Sequence, residues 1–272
     1  MADNKDHVSP PTITQVIAQL LDRGAAGVVI TVMRGPAIGS KLLIDEQNVV
    51  TGTLGNTELD ALVKTPAMEF FKSHHETRMF SVSDFAPDFP LASERLLLFE
   101  RLQPAPRLVV CGAGHVGAAL AKLASFLGYQ TTLIDDRAEF LEGGRFPEQQ
   151  IETVVADDWQ KSVRDAIGNG RGVSVAVVTR GHNEDERCMQ AVVRANPDYV
   201  GLIGSKRRTS IVIDRLRESG ATDEQLKKIH APIGLDIGAI SPEEVALAII
   251  AEIVAERRSA GGGSLSAWRR KS

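Results

Sequence analysis

Gly112, Gly114 and Gly117 stand in the order G-x-G-x-x-G, directly after the apolar run 108–111. The spacing carries chemistry when it falls between a strand and a helix. The first glycine permits a tight turn, the second lets a diphosphate approach the main chain, and the third lets the helix pack on the strand. Free N–H groups of the first helical turn then hold the anion. His115 lies inside this loop, where an imidazole points at a ligand or donates to a nearby carbonyl. An acidic residue at the end of the second strand, about 20 residues on, would take a ribose diol. Asp135 and Asp136 stand there, and Arg137 after them offers a cation to a phosphate instead. An aspartate at this place favours NAD over NADP, if either is bound.

Ligands of an open parallel sheet sit at the carboxyl ends of its strands, so the other strand ends belong to the same question. After the fourth strand come Thr179, Arg180 and His182, and after the fifth come Gly204, Ser205, Lys206 and Arg207. Asp236 lies in the loop before the last helix. Lys206 and Arg207 at a helix start read as a second anion site, because cations are unfavourable there without an anion. His182 with Asp185 or Glu184 is the candidate acid–base pair. There is no nucleophile elbow, His-rich metal pattern or Cys–His pair close in sequence, so no catalytic residue and no metal ligand is assigned. His74 and His75 read as surface residues.

The elements that position these groups follow from periodicity. From 107 to 258 strand and helix patterns alternate with short connections, which predicts α/β architecture: a Rossmann-like, doubly wound parallel sheet with helices on both faces. Strands are expected at 107–112, 130–136, 151–156, 173–179 and 198–204. The last helix, 242–258, starts with Ser241 as N-cap, Pro242 in the first turn and Glu244 closing a capping box. Before it lies a smaller α+β domain, 12–102, with a helix at 12–24, strands at 26–34, 41–45, 48–54, 77–85 and 94–102, and helix over 55–74. Residues 103–106 form a proline-containing linker, 1–11 read as disordered, and 259–272 as a flexible tail.

Bulk composition narrows the function classes. The chain has 272 residues, 43% apolar and 5% aromatic, with a net charge of −4. That charge argues against a general nucleic-acid binder. No apolar run approaches a membrane span, and the polar, acidic start is not a secretory signal. Cys111 and Cys188 are the only cysteines, too few for a Cys-based structural zinc site. The expectation is a reduced, cytoplasmic protein without a nucleic-acid or membrane partner. Edge strands in the first domain would suit a homodimer.

Three stretches, "GAGHVGAALAKLASFLGYQTTLIDDRAEF", "YVGLIGSKRR" and "HAPIGLDIGAISPEEVALAIIAEIVAERR", resemble the XdhC/CoxI family of xanthine and carbon monoxide dehydrogenase accessory factors. The likeness spans 107–258 and extends into "GPAIGSKLLIDEQNVVTGTLGNTELDALV". It implies a protein that binds molybdenum cofactor (molybdopterin), guards it while its sulfido ligand is added, and passes it to a molybdenum hydroxylase. The implied partners are that client and a cysteine desulfurase. The glycine cradle would then hold the phosphate or nucleotide end of that ligand. Two positions depart from the family pattern: Thr57 stands where a cysteine is common and Arg180 where a histidine is. The first removes a thiolate ligand, and the second adds a permanent cation. The runner-up is an NAD(H)-dependent oxidoreductase using the same cradle.

Overall fold

The computed structural model describes residues 12–73, 75–142 and 144–266, and divides into two units, Met1–Pro104 and Ala105–Ser272. In the first, α1 (Ile13–Asp22) starts at Thr12, whose side chain and that of Gln15 form a capping box. The strands β1 (Gly27–Arg34), β2 (Lys41–Asp45), β3 (Val50–Gly52), β4 (Thr77–Ser81) and β5 (Leu96–Leu102) make one antiparallel sheet in the order β3-β2-β1-β5-β4. Ile30, Leu42, Ile44, Leu97 and Phe99 are buried in one cluster with Leu59 of α2 (Thr57–Leu62) and Phe70 of α3 (Lys64–Lys72). A strand is expected over 77–85, but β4 ends at Ser81. There Ser81 and Asp84 cap each other and turn the chain into a short 3₁₀ turn.

The second unit carries six parallel strands: β6 (Arg107–Cys111), β7 (Gln130–Asp135), β8 (Ile151–Val155), β9 (Val173–Val177), β10 (Tyr199–Leu202) and β11 (Ile229–His230). Their spatial order is β11-β10-β9-β6-β7-β8. Counted from β6, this is the doubly wound order 6-5-4-1-2-3, whose direction reverses beside β6 and opens a crevice between β6 and β9. The central strands β6, β9 and β10 are buried on both faces. Leu108, Val110 and Leu133 pack with α4 (His115–Phe126) and α9 (Pro242–Arg257), while Val109, Ile134, Val175 and Val177 pack with α5 (Trp159–Ile167), α6 (His182–Ala195) and α7 (Lys206–Glu218). The two-residue period of a strand produces that split.

The expected pattern runs directly from the second strand to the third, and among the described residues only a 3₁₀ turn at Ala138–Phe140 lies between β7 and β8. The short α8 (Asp223–Lys227) and β11 are additions to that pattern, since two strand residues leave no periodicity to detect. Residues 259–266 are exposed, and Gly262 passes close to Leu235, where a Cβ would lie 3.0 Å from it. The expected disorder at 1–11 and the chain after 266 lie outside the described residues.

The start of α9 is as expected. Ser241 Oγ accepts from the Glu244 N–H at 3.2 Å, and Glu244 Oε2 accepts from the N–H groups of Ile240 and Ser241 at 2.8 and 3.0 Å. Ser241→Ala should therefore destabilise the chain by about 1 kcal/mol. A thermal melt should show this as a Tm lower by roughly 2–4 °C.

Candidate functional site

The three glycines of the loop are required for three different reasons. Gly112 has φ +112°, and a Cβ there would sit 2.7 Å from the Val178 carbonyl oxygen. A Cβ on Gly117 would sit 1.8 Å from the Gly112 carbonyl oxygen, so this residue lets α4 close on β6. A Cβ on Gly114 would meet nothing within 4 Å. Sterics thus demand the first and third glycines, while the space over the second is open. Gly114 is also the N-cap of α4 and makes no side-chain cap bond, which leaves first-turn N–H groups for an outside acceptor. His115 is the exposed first residue of that helix.

Asp135 ends β7 and is 1% exposed. Its Oδ2 accepts from the Ala113 N–H at 2.6 Å and from Arg137 Nη2 at 3.0 Å. Its Oδ1 accepts from the Arg137 N–H at 3.0 Å and from Arg137 Nε at 2.8 Å. Burial pushes this carboxyl up, but the bonds from Arg137 and Ala113 outweigh it and hold the group below its ordinary value. Arg137 also lies 3.7 Å from the centre of the Phe140 ring. Asp135 therefore braces the glycine loop from within, and the neighbouring Asp136 is the carboxylate that faces out. Asp136 Oδ2 accepts from Arg180 Nη2 at 3.1 Å, and its Oδ1 lies 3.8 Å from Arg137 Nε.

Beyond β9 a second network ties α6 to α7. Thr179 Oγ1 donates to Asp185 Oδ1 at 2.6 Å, and Arg208 Nε donates to Asp185 Oδ2 at 2.9 Å. Arg208 also reaches the Thr179 carbonyl at 3.3 Å. Asp185 is fully buried; desolvation pushes its carboxyl up against the pull of Thr179 and Arg208. Of the two carboxylates expected to pair with His182, Asp185 and Glu184, this sets aside Asp185, because both its oxygens serve Thr179 and Arg208 instead. His182, exposed at the start of α6, lines a cavity of about 310 Å³ with Ser205, Arg207, Arg208, Ile211 and Arg215. Ser205 caps α7, Gly204 turns into it at φ +145°, and Lys206 is exposed beside Arg207.

The structure thus gathers the expected residues into two neighbouring groups. Gly112, Gly114, His115, Gly117, Asp135, Asp136, Arg137 and Arg180 surround the glycine loop. His182, Ser205 and Arg207 line the cavity between α6 and α7, with Thr179 tied to its wall through Asp185 and Arg208. Asp236 is exposed on the loop after β11 and joins neither group by a hydrogen bond. Sequence reasoning assigns no role to Arg208, nor to a half-buried set around Glu252. Glu252 Oε2 accepts from Tyr199 Oη at 2.7 Å and from the Gly234 N–H at 2.6 Å, and Oε1 lies 3.3 Å from His230 Nδ1. Glu252 so anchors the loop carrying Asp236 to α9. A glutamate inside the apolar run "AIIAEIVAE" is the available signal.

Thiolate chemistry finds no support. Cys111 and Cys188 are buried without a disulfide, and burial, with Cys111 beside it, pushes the Cys188 thiol well up. Among the described residues no group of three or more His, Cys, Asp or Glu side chains could hold a metal ion. Thr57 is an exposed first-turn residue of α2 after the Asn56 cap. Among the described residues no helix is long and apolar enough to cross a membrane.

Comparison with known proteins places this architecture. A model of the XdhC Rossmann domain matches residues 108–253. The chain is 32% identical over 158 residues to the uncharacterized protein YqeB of Escherichia coli (strain K12), covering 58% of this chain and 28% of that protein. It is 29% identical over 167 residues to a probable xanthine dehydrogenase component of Bacillus subtilis (strain 168), covering 60% and 46%. To the molybdenum cofactor insertion chaperone PaoD of Escherichia coli (strain K12) it is 25% identical over 155 residues, covering 57% and 41%. The chain spans less than half the length of each of these relatives. A solved structure of a xanthine dehydrogenase from Bacillus halodurans shares the fold, with a TM-score of 0.65 at 20% identity over 90% of this chain and 66% of that one.

Asp135 makes the site's local stability testable. Its carboxyl titrates below the ordinary 3.8 in the folded chain, so its contribution is complete above about pH 4 and is lost as the pH falls through the lowered value. Asp135→Asn should cost about 2–4 kcal/mol at pH 7 in denaturant unfolding. The gap between wild type and variant should narrow toward pH 3; a gap that stays constant would contradict the assignment.

Proposed function

The chain belongs to the family of the XdhC Rossmann domain, and on that premise we propose that it is an accessory factor that binds molybdenum cofactor and delivers it to a molybdenum hydroxylase such as xanthine dehydrogenase. The observation that carries the reading is the open space over Gly114, at an uncapped helix start flanked by Arg137 and Arg180. That donor set suits the phosphate end of the cargo. The buried cysteines do not suit its metal end. The Rossmann unit then grips the cargo by its phosphate, and its own side chains take no part in ligating molybdenum. The name of the chaperone relative PaoD supports cargo handling, and the name of the Bacillus subtilis relative supports a hydroxylase client. A cysteine desulfurase and a second copy of the chain are further proposed partners.

The NAD(H)-dependent alternative shares the glycine loop. Of its two expected partners for His182, Asp185 serves Arg208 and Thr179 instead, which leaves Glu184 alone for that role. The deciding experiment is equilibrium binding of the purified protein to anaerobically released molybdenum cofactor, with NAD and NADP in parallel. A Kd of about 1 µM or tighter is expected for the cofactor. Gly114→Val, which fills the open space, should weaken it at least roughly tenfold, about 1.4 kcal/mol. Lys206→Ala should weaken it less. Binding of NAD with no binding of the cofactor would overturn the proposal.

A further inference from the structure

We infer that the Asp136–Arg180 ion pair is an internal stand-in for a ligand's phosphate, so that the cradle takes a ligand ending in phosphate in preference to a dinucleotide, whose diphosphate is esterified at both ends. The inference rests on the proposed use of the glycine loop as the binding site and names the class of ligand it takes.

The strand order supplies the geometry. β7 and β9 lie on either side of β6. Asp136 follows β7 by one residue, and Arg180 follows β9 by three. A bond between their side chains therefore passes over the end of β6, where Gly112 to Gly117 turn. The 3.1 Å bond from Arg180 to Asp136 thus joins the two strand ends that flank the glycine loop, and the proposal places the ligand's anion there. Arg180 is 49% exposed on its side chain, and Glu184 stands 3.8 Å away as a second acidic neighbour. An exposed ion pair of this kind is weak and exchanges readily for a better anion. A phosphate offers Arg180 two or three acceptors in place of one and gains the first-turn N–H groups of α4 as well.

The same arrangement disfavours a ribose. Recognition of a ribose diol needs an unengaged carboxylate at the end of the second strand. Asp135 has about four acceptor positions, and four N–H bonds fill them. Asp136 is bracketed by the guanidinium groups of Arg180 and Arg137, which are stronger partners than neutral hydroxyls. When phosphate takes Arg180, the freed Asp136 carboxylate stands beside the incoming charge and opposes it. Asp136 thus sets the threshold for entry, and Arg180 receives the anion.

The test measures binding of three probes to the full chain: anaerobically released molybdenum cofactor ending in phosphate, inorganic diphosphate, and NAD. Variants are Asp136→Asn, Arg180→Ala and the isosteric Arg180→Gln, with thermal melts to confirm folding. Asp136→Asn should tighten the cofactor and diphosphate by about threefold to tenfold, and both Arg180 variants should weaken them by a similar factor. NAD should remain the weakest ligand throughout. If Asp136 instead holds a ribose, Asp136→Asn weakens NAD and leaves diphosphate unchanged, which overturns the inference. Failure of the cofactor to bind, with diphosphate still tightened by Asp136→Asn and weakened at Arg180, would sink the proposed cargo while supporting the charge exchange. No binding of any probe to wild type or Asp136→Asn would overturn both.

Discussion

Everything at the site depends on one buried carboxylate. Asp135 closes β7 and reaches across to the Ala113 N–H, in the turn between the first two glycines. That single bond fixes the loop relative to its neighbouring strand. A buried carboxylate is tolerable only when it is fully bonded, and Arg137 completes the set from two residues away. The cost of burying the charge is met locally, which frees the loop from needing a ligand to hold its shape. Gly114 can then lie open beside the start of α4 without the turn collapsing.

The second charged brace works in the same way one strand pair further along. Asp185 on α6 draws Arg208 of α7 inward and takes the Thr179 hydroxyl at the end of β9. The cation of Arg208 is thereby used up in holding two helices together. Arg207, its neighbour in sequence, faces the cavity with His182 and Ser205. The site thus sorts its charges: inner carboxylates are buried and set geometry, and outer members are exposed, where the proposed ligand would meet them. Removing an inner member is expected to unsettle the fold, and removing an outer one to change binding.

Much of this was legible in the sequence because it is local. The glycine spacing reports backbone angles and close approaches, the capping box of α9 spans four residues, and alternating periods announce a parallel sheet. The relatives and the strand order bear out the family resemblance and the Rossmann-like architecture. What stayed hidden was the direction of individual side chains. Asp135 and Asp136 are adjacent, but β7 ends between them, so the first is buried in the sheet and the second is exposed beyond it. Among the three basic residues that open α7, helical phase against α6 selects Arg208 as the partner of Asp185, 23 residues away. The pairing of Glu252 with Tyr199 spans 53 residues and has no local signature. Sequence pattern names the residue types at a site; the register of packed elements decides which of them face a ligand.

That distinction bears on how far a glycine fingerprint carries function. The turn, the helix start and an acidic residue after the second strand serve dinucleotide enzymes and cargo-binding factors alike. Their presence argues for an anion and stops there. What separates the readings is the occupancy of the surrounding charges. Here the inward aspartate is saturated, the outward one is held by two arginines, and one of the two carboxylates expected beside His182 belongs to a structural pair. A hydride-transfer site needs a free acceptor for ribose and a working acid or base. A site that only grips and releases a phosphate needs neither. It needs a cradle that keeps its shape when empty and a cation whose resting partner can be exchanged, and those are the features proposed for Asp135 and Arg180.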